Sequence, residues 1–492
     1  MPSCSSSPVV EFYYDIVCPF AYIASTRIEA VTARAAATVV WRPVLLGGIY
    51  RATEAPQGAE GSATDPMNPT KKAVFGRAFR RTLKRFQVPI DPPKEHPRKT
   101  VDALRLLHYL PASVRAAVSQ ALFAAYWVDH VDVTNRDVLL EVARRALRDA
   151  PDVRARLTAE VFSDENAKRC LEQATADAVQ RGAPGVPGFW IPEEAWRDTC
   201  GKTMTGRLYW GQDRMHFVEA SLLRLGSGLP SASDGIRLRE LIPRCRDLEV
   251  LNKSVKLEFW FDFSSPWAYL GWTRLKGLQK VFGSQLQVEL KPILLGALFK
   301  DIGAPQMPSM VISEQKRRYN LLDLLDWVKF WSTVDQQEGY SERAIGFRWP
   351  DTFPIRSPSL LRCAIANPDC VPVLYEACWA LNRNVSDEGA LKQVLAEAGY
   401  DGEQLLAKAR LPATKEALFA NTQAAKEAGF CGVPTYRVFH RGPKDTWAQM
   451  GSFVWGQDEL AVVEDLIAGW DEALGELATS RENGTWGSRL RL

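Results

Sequence analysis

Cys18 and Ser265 occupy the same place in two copies of one motif. The first copy reads Glu11-Phe12-Tyr13-Tyr14-Asp15-Ile16-Val17-Cys18-Pro19-Phe20-Ala21-Tyr22, and the second Glu258-Phe259-Trp260-Phe261-Asp262-Phe263-Ser264-Ser265-Pro266-Trp267-Ala268-Tyr269. The apolar and aromatic residues up to Asp15 and Asp262 predict a strand covered on both faces. Proline disfavours a helical conformation in the residue before it and is itself favoured at the first helical position. Cys18 and Ser265 are therefore placed at helix N-caps, where unpaired N–H groups and the helix dipole favour negative charge. A cysteine there tends toward thiolate. A serine there is suited to donating its hydroxyl to a thiolate brought by a ligand, although it reads equally as an ordinary N-cap.

Each copy has a partner far along the chain. Val186-Pro187 follows Cys18 by 168 residues, and Val433-Pro434 follows Ser265 by the same 168. Two independent folds do not keep that separation by chance, so the chain is an internal duplication at domain scale. Each proline is expected at the start of a strand, and in a thioredoxin fold the bond before it is cis.

The intervening elements also recur. Thr38 to Gly48 reads as a second strand with a Gly-Gly stop, and Val288 to Gly296 is its repeat. Residues 53–69 read as a loop. Lys71 to Phe86 predicts a helix with Phe75, Phe79 and Leu83 on its apolar face; its run of Lys71, Lys72, Arg77, Arg80, Arg81, Lys84 and Arg85 reads as a solvated face. Helical patterns follow at 100–110, 112–130, 135–148 and 164–181. In the second copy they stand at 313–325, 359–366, 371–382, 387–398 and 414–428. We expect domains at 8–225 and 255–470, a linker at 226–254 opened by a Gly/Ser/Pro-rich run, and a tail at 471–492. The fold class is α/β: two tandem thioredoxin-like domains, each with an α-helical insertion.

Bulk properties narrow the classes. A length of 492 residues is too great for one ordinary domain, and 46% hydrophobic with 24% charged residues marks a globular chain. A net charge of +3 leaves no basic footprint for nucleic acid. No run is long and apolar enough to span a membrane. The nine cysteines show no metal-ligand spacing, and no metal site is expected. The odd cysteine count, with no secretory-type leader, points to a reducing compartment, and we expect the cytosol. The final Leu-Arg-Leu only loosely resembles a peroxisomal address. The five histidines form no motif, and a packed role is expected for Cys431 and for Trp327, Phe330 and Trp331.

Taken together, Phe-Trp-Phe-Asp-Phe-Ser-Ser-Pro-Trp-Ala-Tyr-Leu, Lys-Pro-Ile-Leu-Leu-Gly-Ala-Leu-Phe-Lys, Gly-Val-Pro-Thr and Trp-Gly-Gln-Asp resemble 2-hydroxychromene-2-carboxylate isomerase, which belongs with the kappa-class glutathione transferases in the DsbA-like thioredoxin superfamily. The resemblance implies glutathione as cofactor and a small-molecule electrophile as substrate. It implies that Ser265 holds the glutathione sulfur, that Val433 before Pro434 pairs with the glutathione peptide, and that Trp455, Gly456, Gln457 and Asp458 contact the γ-glutamyl end. Val186, Pro187, Trp210, Gly211, Gln212 and Asp213 are the matching positions of the first copy. Lys300 falls where the family has a lysine facing the second substrate, and Ser357 near a frequent asparagine. The first copy departs from the family: Cys18 replaces serine, Arg51 replaces lysine, and Ala21 stands where a Cys-X-X-Cys oxidase has its second cysteine.

Two functions of different class follow. One is a glutathione-dependent isomerase or transferase that adds a thiolate reversibly to an activated alkene at Ser265. The other is a DsbA-like monothiol redox or glutathione-binding protein using Cys18, which also reads as an inert residue in a domain kept for structure. The family usually works as a dimer, so the two copies are expected to form an intramolecular pseudo-dimer.

Overall fold

Phe12 stacks on Phe189 with ring centroids 5.5 Å apart, and Phe259 meets Tyr436 at the same 5.5 Å. These pairs lie at the centres of two four-stranded sheets. The computed structural model describes residues 7–198, 201–228, 235–442 and 445–472. The first sheet comprises β1 (Val9–Tyr14), β2 (Thr38–Pro43), β3 (Gly188–Arg197) and β4 (Thr203–Trp210) in the order β2-β1-β3-β4. The second comprises β5 (Val255–Phe261), β6 (Leu286–Pro292), β7 (Thr435–Arg441) and β8 (Trp447–Trp455) in the order β6-β5-β7-β8. In each, the first two strands are parallel and the later pairings antiparallel. β1 and β5 are central and their residues almost wholly buried, which is why both read as continuous apolar runs.

The helical insertion enters between the parallel pair and the antiparallel pair. It contains Val101–Tyr109, Ala112–Trp127, Arg136–Ala146 and Glu165–Gln180 in the first half. Pro358–Ala366, Val371–Trp379, Glu388–Glu397, Gly402–Arg410 and Pro412–Glu427 form it in the second. These helices hold the turn that precedes each N-cap. The Trp127 indole N–H donates to the Ile16 carbonyl at 2.9 Å, and the Trp379 indole N–H donates to Phe263 at 2.8 Å.

Three sequence expectations are corrected here. Gly47-Gly48 does not stop the second strand at residue 48; the strand ends at Pro43 and both glycines lie in the short helix Leu46–Ala52. The helix expected over 313–325 continues to Gln337, because Trp327, Phe330 and Trp331 are buried along its far half. The basic helix, Pro69–Phe86, does not present a solvated face. Arg81 is 3% exposed and pairs with Glu472 at 2.6 Å, Arg85 pairs with Asp465 at 2.7 Å, and the Lys84 ammonium donates to the Glu472 carbonyl. Lys72 and Arg80 remain exposed.

The helices Pro69–Phe86 and Glu314–Gln337 each reach into the opposite half. Arg27 lies 3.9 Å from the Phe86 ring centroid and Arg274 lies 5.0 Å from that of Trp331, so the same stacking occurs once in each half. Within the segment read as a linker, Arg239 and Arg244 pair with Glu464 at 2.6 and 2.7 Å. The backbone N–H groups of Cys245 and Arg246 donate to Asp465. The C-terminal Leu-Arg-Leu lies outside the described residues. No helix among the described residues is long and apolar enough to cross a membrane.

Candidate active site

Each site begins where a central strand turns into a helix. The Ser265 hydroxyl caps Pro266–Phe282 by accepting the Ala268 N–H at 3.2 Å, and donates to the Val433 carbonyl at 3.4 Å. The Cys18 thiol donates to the Val186 carbonyl at 3.3 Å, but makes no capping hydrogen bond to its own helix, Pro19–Ser25. Val186-Pro187 and Val433-Pro434 are both cis, as expected; His96-Pro97 and Phe353-Pro354 are cis as well. The expected juxtaposition of each N-cap with its distant Val-Pro turn is therefore present in both halves.

Beneath each N-cap a buried aspartate braces the turn. Asp15 accepts the N–H groups of Leu46 and Val17, and Asp262 those of Leu295 and Ser264. Burial pushes the Asp15 carboxyl up to about 6, and raises that of Asp262. Ser357 is buried and hydrogen-bonds to Asp262, so it supports the turn from below. Arg51 and Lys300 lie in the last turns of the equivalent helices Leu46–Ala52 and Leu295–Asp301. Both side chains are exposed and unbonded to either site among the described residues.

The thiolate expectation for Cys18 is not met. The residue is 7% exposed, and burial pushes its thiol up to about 12, more than the N–H groups of Ala21 and Phe20 can offset. Desolvation of the charged form outweighs the helix terminus. Cys431 is packed in the core, and burial likewise raises its thiol to about 12.

The Trp-Gly-Gln-Asp motifs close the sites from the other side. Gly432 approaches the Trp455 indole so closely that a Cβ there would lie 2.9 Å from the ring nitrogen. Gly456 has φ +106°, and a Cβ on it would lie 2.4 Å from Asp458 Oδ1; only glycine allows that turn. Gln212 accepts from Arg27 at 2.9 Å and Gln457 from the Trp331 indole at 3.2 Å. Asp213 and Asp458, the two positions matched to the γ-glutamyl end, both reach one guanidinium: Arg214 lies 2.6 Å from Asp213 and 3.1 Å from Asp458. Beside them is a cavity of about 50 Å³ lined by Arg27, Arg85, Gln212, Asp213, Asp458 and Glu459. Burial, with Asp458 nearby, pushes the Glu459 carboxyl up to about 7.

Sequence reading missed two lysines, because each is delivered by the opposite half. Lys71 Nζ lies 5.7 Å from the Trp455 ring, and Lys316 Nζ lies 5.3 Å from the Trp210 ring. Burial, and the charge of Lys71, hold Lys316 below the ordinary lysine range. The Tyr319 hydroxyl, one turn on from Lys316, accepts the Trp210 backbone N–H at 2.8 Å. The signal available in the sequence was the equal placement of Lys71 and Lys316 three residues after the N-caps Asn68 and Ser313.

Comparison with known proteins identifies the domain family. The DSBA-like thioredoxin domain family matches residues 9–223 and 256–468. The chain is 22% identical over 214 residues to 2-hydroxychromene-2-carboxylate isomerase of Sphingobium xenophagum, covering 44% of this chain and 97% of that protein. It is 24% identical over 188 residues to glutathione S-transferase kappa 1 of Homo sapiens, covering 36% of this chain and 78% of that one. A solved structure of 2-hydroxychromene-2-carboxylate isomerase aligns with TM-score 0.35 and 18% identity, over 45% of this chain and 100% of the other. With two matched regions that together span most of its length, the chain belongs to the DsbA-like thioredoxin domain family, as a tandem pair.

Proposed function

We propose that this chain is a glutathione-dependent isomerase or transferase acting on a small electrophile, with Ser265 in the working site. The observation that carries the reading is the Ser265 hydroxyl, held at the N-cap of a 17-residue helix and directed at the carbonyl before cis-Pro434. The residues present fit glutathione. The Val433 N–H has no acceptor among the described residues, which leaves it for an extended peptide ligand. Asp458 offers a carboxylate to an ammonium and Lys71 a cation to a carboxylate, the two charges of a γ-glutamyl group. Bound glutathione would supply a thiolate able to add reversibly to an electron-poor alkene.

The chain's own part is electrostatic. Ser265 turns its O–H from the Val433 carbonyl toward the sulfur, while the helix N-terminus favours the negative charge. No histidine lies in the recurring motifs to make Ser265 a nucleophile. Lys300, exposed in the last turn of Leu295–Asp301, is assigned to an anionic substrate. We further propose that the two halves act as an intramolecular pseudo-dimer, since Lys71 comes to the second site from the first half. The alternative, monothiol redox chemistry at Cys18, has less support because that thiol is buried and raised.

Calorimetry with glutathione, followed by a mass-spectrometric screen of activated alkenes with and without it, tests the reading. Binding weakened in Ser265→Ala and in Lys71→Gln, but unchanged in Cys18→Ala, is expected. Absence of glutathione binding by the intact chain at millimolar concentration rejects it.

A further inference from the structure

Among the described residues, the ion pairs that join residues 8–225 to residues 255–472 all have one polarity. Arg81 pairs with Glu472 at 2.6 Å, Arg85 with Asp465 at 2.7 Å, and Arg207 with Asp326. Arg214 pairs with Asp323 at 2.7 Å and with Asp458 at 3.1 Å. Every cation comes from the first half and every carboxylate from the second. Of the other charged contacts, Lys84 donates to the Glu472 carbonyl and Arg77 lies 4.3 Å from the Phe453 ring centroid with the same polarity, while Lys71 over Trp455 and Lys316 over Trp210 form one cation–ring contact in each direction. Arg81, Arg207, Arg214, Asp323 and Asp465 are all buried, so water does little to screen them.

The internal repeat shows what each surface would meet in a copy of itself. Counted from the N-caps Asn68 and Ser313, the counterpart of Arg81 is Asp326. Counted from Trp210 and Trp455, the counterpart of Arg207 is Ser452 and that of Arg214 is Glu459. Two first halves docked as the halves dock here would set Arg207 against the other copy's Arg81, and would bring two Arg214 side chains to the centre with only the Asp213 carboxylates, because Ala78 stands where Asp323 stands in the second half. Two second halves would set Asp326 against Ser452. They would also gather Asp323, Asp458 and Glu459 from both copies with no arginine among them. Buried like charges oppose association, and a buried carboxylate stripped of its partner does so too.

We propose that this surface is selective: each half accepts the other and rejects a copy of itself. A Cys18 site is then always assembled beside a Ser265 site. An exchange of halves between two chains would keep that composition, whereas a pairing of like halves would not. The proposal stands apart from the glutathione reading, because it rests on the interface alone.

The test begins with the full chain carrying a site-specific protease sequence between Gly228 and Gly235, cut after folding. Nicked chains with and without an affinity tag on the first fragment are mixed, unfolded in urea, refolded together and captured by the tag. The captured material should hold the tagged first fragment and the second fragment in equal amounts, with untagged first fragment no higher than in a tag-free control. Recovery of untagged first fragment above that control would overturn the proposal, as would a pair of second fragments detected by light scattering. The uncut chain gives an independent readout. Arg207→Asp and Asp326→Arg should each lower the unfolding midpoint, and the two together should recover most of the loss. Simple addition of the two losses would show that the polarity of the interface does not select its partner.

Discussion

Arg214 of the first half lies between two carboxylates of the second, 2.7 Å from Asp323 and 3.1 Å from Asp458, and 2.6 Å from Asp213 of its own half, so one guanidinium serves both Trp-Gly-Gln-Asp motifs. Breaking a buried pair from one side leaves the remaining charge uncompensated. Arg214→Met should therefore destabilise the chain by roughly 3–5 kcal/mol. Urea unfolding measures it; a loss within the error of a surface substitution would show that the cluster is solvated.

Ser265→Ala removes one hydrogen bond to a charged sulfur. That should cost roughly 1.5–3 kcal/mol, about ten- to a hundredfold in glutathione-dependent turnover. It should also raise the thiol pKa of bound glutathione, read from thiolate absorbance against pH. An unchanged titration, or a covalent seryl adduct in the wild-type protein, would show that the mechanism is wrong.

Cys18 has a thiol raised by burial to about 12. At pH 8 its thiolate fraction should fall about a thousandfold below that of an unperturbed thiol. Iodoacetamide mapping should find Cys18 unmodified in the folded chain and modified in urea. Rapid alkylation of the native protein at this residue would restore the redox reading.

Glu459 carries a carboxyl raised to about 7, so folding favours its protonated form. The associated stability is fully present below the ordinary glutamate value near 4.5 and is lost as pH rises through 7. Glu459→Gln should match the wild type near pH 4.5 and exceed it at pH 8, by about 1–3 kcal/mol. Denaturant midpoints at the two pH values check the sign. A variant that is less stable at pH 8 would mean that the carboxylate is favourably paired there.

Much of the fold was legible because its signals are local. Continuous apolar runs marked β1 and β5, the residue before proline marked Cys18 and Ser265, and the shared 168-residue spacing tied each to its Val-Pro turn. Those features follow from backbone preferences and periodicity, which a sequence carries residue by residue. The charged helix Pro69–Phe86 misled for the complementary reason. Its arginines have the spacing of a solvated face, and only the carboxylates of another domain, Asp465 and Glu472, turn that face into an interface.

The sequence by itself determined the duplication, the succession of strands and helices along each half and the residue types at each N-cap. Tertiary structure alone decided which charges are neutralised and which groups are desolvated. It placed Ser357 beneath Asp262, set Arg214 between Asp323 and Asp458, carried Lys71 to Trp455, and buried Cys18 deeply enough to hold its proton. Hydrogen bonds within a turn depend on neighbours in the chain. Coulomb energy and the cost of losing water depend on neighbours in space, which only the packed molecule supplies.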